Sequence, residues 1–153
     1  MQRITDILTN EHAILRKVFE QIERILPTLS RAQDVHSLAD MLDALLQDHA
    51  DAEEHLLYVT LDHALANIGE LESMSQEHGE IDSRIAQARQ TGDIDQARRL
   101  LLAALKYSRS HFQNEEVKVF PVIQERLSDE TLHALGEAWR VRNALTVSAL
   151  ATA

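Results

Sequence analysis

In four separate stretches of this 153-residue chain, a histidine takes a place in an apolar row whose members recur three and four positions apart. That spacing marks helices packed along a seam. The first row reads Leu8, His12, Leu15, Phe19, Ile22, Leu26, and the second Leu38, Leu42, Leu45, His49, Glu53, Leu56, Thr60. The third is Leu71, Met74, His78, Ile81, Ile85, Ala88. The fourth is Ile94, Ala97, Leu101, Ala104, Ser108, His111, Glu115, Val119, Val122. A seam position faces other helices, so a polar side chain placed there must find its partner inside the protein.

Local signals bound each row. Thr5 or Asp6 can cap the first helix and Pro27 stops it. The second begins at Asp34 and ends before Gly69, Thr91-Gly92 stops the third, and Asp93 caps the fourth. A shorter fifth helix, capped by Ser128, offers an apolar stripe of Leu132, Leu135, Trp139 and Leu145. With only 4 Gly and 2 Pro in the chain, little interrupts the helix formers. These features predict an all-α protein: an up-down-up-down four-helix bundle over residues 1–127, with a short additional C-terminal helix, 128–153, in the same domain.

Charge and cysteine content narrow the chemistry. A formal net charge of -10 repels phosphate backbones and anionic lipid, so neither nucleic acid nor a membrane is expected as a partner. The absence of cysteine removes disulfides, iron–sulfur clusters and thiolate zinc sites, leaving His, Asp and Glu as metal ligands. No apolar run approaches membrane-spanning length, and Met1–Asn10 lacks the apolar stretch of a signal peptide, so the expected location is the cytoplasm.

Two of the seam histidines carry a glutamate four residues on, His49 with Glu53 and His111 with Glu115. Residues four apart share one helical face, so each pair aims an imidazole and a carboxylate into the same space. Buried alone, such groups cost several kcal/mol apiece. Four imidazoles and two carboxylates in one layer need a strong compensating charge, which a pair of metal ions supplies and carboxylates can bridge.

Counting residues tests whether the levels agree. Fifteen residues separate His12 from Pro27, and fifteen separate Asp34 from His49, so antiparallel helices bring these two to one height. His78 lies 13 residues before Thr91 against 18 from Asp93 to His111, which agrees only if part of that stretch is loop. The competing reading is a metal-free helical interaction module whose seam histidines hydrogen-bond one another.

The segment His111-Phe112-Gln113-Asn114-Glu115-Glu116-Val117-Lys118-Val119-Phe120-Pro121 resembles the fourth-helix motif of the hemerythrin-like (HHE cation-binding) family. His49 through Glu53-Glu54-His55-Leu56-Leu57-Tyr58 resembles its second-helix motif, with Val59 where a proline is common. The resemblance covers essentially the whole chain. It implies a non-haem diiron centre, oxo- or hydroxo-bridged, in which His12 and His49 bind one iron, His78 and His111 the other, and Glu53 and Glu115 bridge them. Oxygen-carrying members have a further histidine one turn before the third-helix ligand, where this chain has Met74. A thioether is a poor iron ligand, so an iron with fewer protein ligands is expected, and Glu77 or Glu11 is the candidate to complete the shell.

Open positions on such a centre suit a small ligand: dioxygen, peroxide or NO. The leading expectation is oxygen binding or redox and iron sensing. The alternative is a diiron enzyme acting on peroxide, ferrous iron or NO. A role in repairing damaged iron centres is lowered by the lack of the cysteine-bearing N-terminal module that such relatives commonly carry. His36, His55, His63 and His133 are expected to stay off the metal; His36 is the one of the four that could fold back over a helix end toward it. Tyr58, Phe19, Phe112 and Trp139 are read as packing residues.

Overall fold

The computed structural model describes residues 2–60 and 69–150, and the side chains of 2–60 and 74–144. Among these residues all regular structure is helical. Helix α1 spans Ile4–Ile25 and ends in a 3-10 turn, Leu26–Thr28, that opens on Pro27. Asp6 sits in its first turn, where its carboxylate accepts from the Arg3 amide at 3.3 Å. Helix α2 spans Ala32–Ala52 and α3 spans Gly69–Gln90; the predicted end of α2 before Gly69 lies outside the described residues. Helix α4 spans Ile94–Asn114, and Asp93 caps it by accepting from the amides of Asp95 and Gln96. None of these helices is long and apolar enough to cross a membrane.

The fifth helix differs from expectation. Ser128 does cap it, accepting from the Thr131 amide at 3.2 Å, but α5 runs Asp129–Leu150, 22 residues, as long as the others. It is therefore no short appendage. Leu132 is buried, Leu135 and Trp139 are half-buried, and the side chain of Leu145 lies outside the described residues. The helix lies on α1 and on the end of α2, with Gly136 at the crossing.

Both α2 and α4 continue through a π-helical stretch, Glu53–Tyr58 and Glu115–Val119, before α4 resumes as Phe120–Arg126. A π turn takes one residue more than an α turn, so the buried face slips by one position. The predicted second row placed Leu56 and Thr60 inside; Leu57 and Tyr58 are buried instead. The fourth row placed Val122 inside, and Phe120 and Ile123 take its place. Leu45 was also expected on the seam but is 40% exposed, because Leu42 and Leu46 hold the inner face there.

The buried apolar residues form two clusters. One gathers Leu15, Phe19, Leu42, Leu46, Ile81, Ile85, Leu101 and Phe112; the other gathers Leu8, Leu57, Tyr58, Met74, Val119, Phe120 and Leu132. On α1 and α3 the second cluster comes first along the chain, and on α2 and α4 it comes last. His12, His49 and His78 fall between the two, and His111 stands beside Phe112 at the same boundary. The 13-against-18 mismatch needs no loop inside α4, which is helical throughout.

Candidate metal centre

Between the two clusters, six polar side chains are buried together: His12, His49, Glu53, His78, His111 and Glu115. All six residues singled out in the sequence are brought to one place. His12 Nε2 lies 3.0 Å from His49 Nε2, and His78 Nε2 lies 2.7 Å from His111 Nε2. One ligand atom from each of His12, His49, Glu53 and Glu115 falls within 4.8 Å of the others, and the same holds for Glu53, His78, His111 and Glu115.

The two glutamates stand between the histidine pairs. Glu53 Oε1 is 3.2 Å from His49 Nε2 and 3.6 Å from His12 Nε2, while its Oε2 faces His78 Nε2 at 3.5 Å. Glu115 uses a single oxygen, Oε2, at 3.3 Å from His12 and 3.4 Å from His111. Its other oxygen accepts from the Tyr58 hydroxyl at 2.5 Å. Tyr58 is thus more than a packing residue. Phe112 does pack: it stacks on His12 with ring centroids 4.1 Å apart.

A ring of four further carboxylates surrounds this layer, one behind each imidazole. His12 Nδ1 donates to Glu116 at 2.9 Å, His49 Nδ1 to Glu11 at 3.0 Å, His78 Nδ1 to Glu54 at 3.3 Å, and His111 Nδ1 to Glu77 at 2.8 Å. Each helix supplies the support for a histidine on its neighbour: α1 for α2, α2 for α3, α3 for α4, and α4 for α1. The expectation that Glu77 or Glu11 completes the inner shell is corrected by this arrangement. Both sit on the outer nitrogens, away from the cluster. Glu54 and Glu116 were missed. Their signal was sequence adjacency, since a residue beside a seam residue points about 100° around the helix, toward the next one.

The outer carboxylates fix the protonation of the rings. A neutral imidazole that donates through Nδ1 presents a bare lone pair at Nε2. Four such lone pairs converge on Glu53 Oε1, Glu53 Oε2 and Glu115 Oε2, three buried oxygens with no hydrogen-bond partner. Acceptors facing acceptors without a donor are unstable in a dry interior. The layer calls for cations. In their absence protons must serve. Burial pulls the His49 value down, but Glu53 and Glu11 more than reverse it and push it up to about 10. Burial would likewise raise Glu53, yet His49 and the other imidazoles hold its carboxyl well below the ordinary carboxylate range. Burial, with Glu53 and Glu115 beside it, raises the Tyr58 phenol far above its usual value, so that hydroxyl keeps its proton.

The other histidines among the described residues stay away from this layer. His55 is exposed and donates to the Asp51 carbonyl at 2.9 Å. His36 reaches the end of α3, donating to the Thr91 carbonyl at 2.9 Å. His133 is on α5, and His63 lies outside the described residues.

Met74, one turn before His78, is buried in the second apolar cluster with Leu57 and Tyr58. A small cavity of about 10 Å³ is lined by His49, His78, His111, Ile81, Asp82 and Phe112 among others. Such a volume admits about one water molecule. Asp82 is its one carboxyl group, raised above its ordinary value by burial and by Asp43 and Glu54, against the lowering effect of Gln47 and His78.

Among known families, the profile of the hemerythrin HHE cation binding domain matches residues 3–123. No curated protein and no solved structure matches the chain.

Proposed function

The chain belongs to the hemerythrin HHE cation-binding domain family, and from that premise we propose that it is a non-haem diiron protein that binds a small ligand such as dioxygen. In this reading residues 1–127 form an up-down-up-down bundle, supported by the alternating order in which α1 to α4 cross the two apolar clusters. Residues 128–153 belong to the same domain. His12 and His49 hold one iron, His78 and His111 the other, and Glu53 and Glu115 bridge them.

The observation that carries the reading is the set of unpartnered acceptors. Three buried carboxylate oxygens have no hydrogen-bond partner, four imidazole nitrogens face them in two close pairs, and each histidine is turned inward by a carboxylate behind it. Nitrogen and oxygen ligands of this kind suit iron, and an outer carboxylate on each imidazole is the usual companion of a metal-bound histidine. When bound, the iron pair supplies open coordination positions and redox change. The chain's own contribution is to orient the ligands, to enclose them between two apolar clusters, and to offer a cavity of about one water's size.

Metal analysis of freshly purified protein, with its optical spectrum before and after reduction and exposure to air, tests this. Two irons per chain and a near-ultraviolet band that responds to air are expected. Protein that binds no iron, or a His49→Ala variant with full metal content, overturns it.

One observation favours the enzymatic alternative. Tyr58 places a hydroxyl 2.5 Å from Glu115, a hydrogen-bond donor at the edge of the ligand layer. Sustained turnover of peroxide that falls in Tyr58→Phe supports that reading; stoichiometric consumption that stops after one equivalent removes it.

A further inference from the structure

The two halves of the ligand layer are not equally secured, and the difference lies in the outer ring. Glu116, behind His12, is itself gripped by the Arg16 guanidinium at 2.8 Å. Glu77, behind His111, also accepts from Asn114 Nδ2 at 3.2 Å, besides its 2.8 Å bond to the imidazole. Glu54, behind His78, makes the longest of the four bonds, 3.3 Å, from a side chain that is 44% exposed. A hydrogen bond of that length from a solvated carboxylate holds a ring less firmly than a short, partly buried one.

Three further facts fall on the same corner. His78 is the most exposed of the four seam histidines, at 8% against 0% for His12. The small cavity between α2, α3 and α4 is lined by both His78 and His111, with His49 alone from the other pair, and has the Asp82 carboxyl in its wall. One turn before His78 on α3 stands the buried thioether of Met74, in place of a nitrogen or oxygen donor. A larger hollow of about 160 Å³ between α1 and α2 meets only His49 and Glu11 of this array, and Glu11 occupies the outer nitrogen there.

Resting on the metal reading above, we infer that the layer is built unequal: His78 is the ligand that yields, Glu54 is its releasable support, and metal enters and leaves through the α2–α3–α4 cavity while the His12–His49 corner stays fixed. Glu54 acts here as a positioning residue. Losing an outer partner of a metal-bound histidine typically costs about 10–100-fold in metal affinity, and the loss should appear only at the position that partner supports.

The test is release of iron from the reduced, iron-loaded full chain to a chromophoric ferrous chelator. Wild type should release its two irons in two phases of equal amplitude. Glu54→Gln should speed the fast phase about tenfold and leave the slow one unchanged, whereas Glu116→Gln should speed the slow phase. The metal-free Glu54→Gln protein should melt as wild type does, which separates positioning from folding. If that variant does not fold, Glu54→Asp, which draws the carboxylate back from His78, is read the same way. Release of both irons in one phase, any failure of the Glu54 variant to act selectively on the fast phase, or acceleration of that phase by Glu11→Gln instead, overturns the inference. Wild-type protein that takes up no iron overturns the metal reading itself and this inference with it.

Discussion

The Tyr58 hydroxyl donates to Glu115 Oε1 at 2.5 Å, joining the π-helical end of α2 to the first π-helical residue of α4. The bond occupies one oxygen of a wholly buried carboxylate and leaves the other to face His12 and His111. It exists because the π turn carries Tyr58 inward, where an uninterrupted α-helix would have presented its neighbours.

Tyr58→Phe should therefore cost more than an ordinary surface hydrogen bond. The ring's packing is kept, but a buried charged acceptor loses its donor, a loss of about 1.5–3 kcal/mol. Chemical denaturation of metal-loaded wild type and variant measures it. Equal midpoints and slopes would show that the hydroxyl contributes nothing to holding Glu115.

Glu53→Gln keeps the side chain's shape while removing the charge that both histidine pairs share. Its effect on metal content should exceed the tenfold to hundredfold that outer partners carry, since Glu53 addresses His12, His49 and His78 directly. His55→Ala, two residues away and facing solvent, is the control and should keep its metal. Metal analysis after dialysis decides between them; retention by Glu53→Gln equal to the control would remove Glu53 from the ligand set.

Metal removal should make stability depend on pH in a defined direction. In the metal-free protein His49 is raised from 6.5 to about 10, so its contribution is complete below 6.5 and is lost as pH rises through about 10. The chelated protein should accordingly be less stable at about pH 10 than at about pH 6, while the loaded protein, its layer neutralised by cations, changes little. Thermal melts of both forms at the two pH values provide the measurement. A chelated protein that melts no earlier at the alkaline value would contradict the placement of a proton between His49 and Glu53.

The seam histidines were legible in the sequence because burial and period-3.6 spacing are local properties. His12, His49, His78 and His111 each follow from counting along one helix. What escaped was set by relations between helices. Glu54 and Glu116 stand one position off the seam, where a residue ordinarily faces solvent, and it takes the neighbouring helix's imidazole to draw them into the array. The register change at Glu53 and Glu115 was equally hidden, since a π turn leaves no distinctive residue type behind. Hence Leu56 and Val122 were placed inside, where Leu57 and Ile123 belong.

The seating of α5 on α1 depends on Gly136. A Cβ added there would lie 2.4 Å from the Gln2 carbonyl oxygen and 3.3 Å from both the Ile4 amide nitrogen and the Ile7 side chain. The nearest of these is backbone, so nothing can rotate aside, and α5 must lift off the start of α1. Gly136→Ala normally favours a helix by about 0.5–1 kcal/mol through reduced freedom of the unfolded chain. At this crossing overpacking costs typically about 1–3 kcal/mol and should win, giving net destabilisation. Because Gly136 is remote from the histidine layer, iron content should stay at the wild-type value while the denaturation midpoint falls. A midpoint that rises, as helix propensity alone would dictate, would mean that α5 does not seat on α1 in solution.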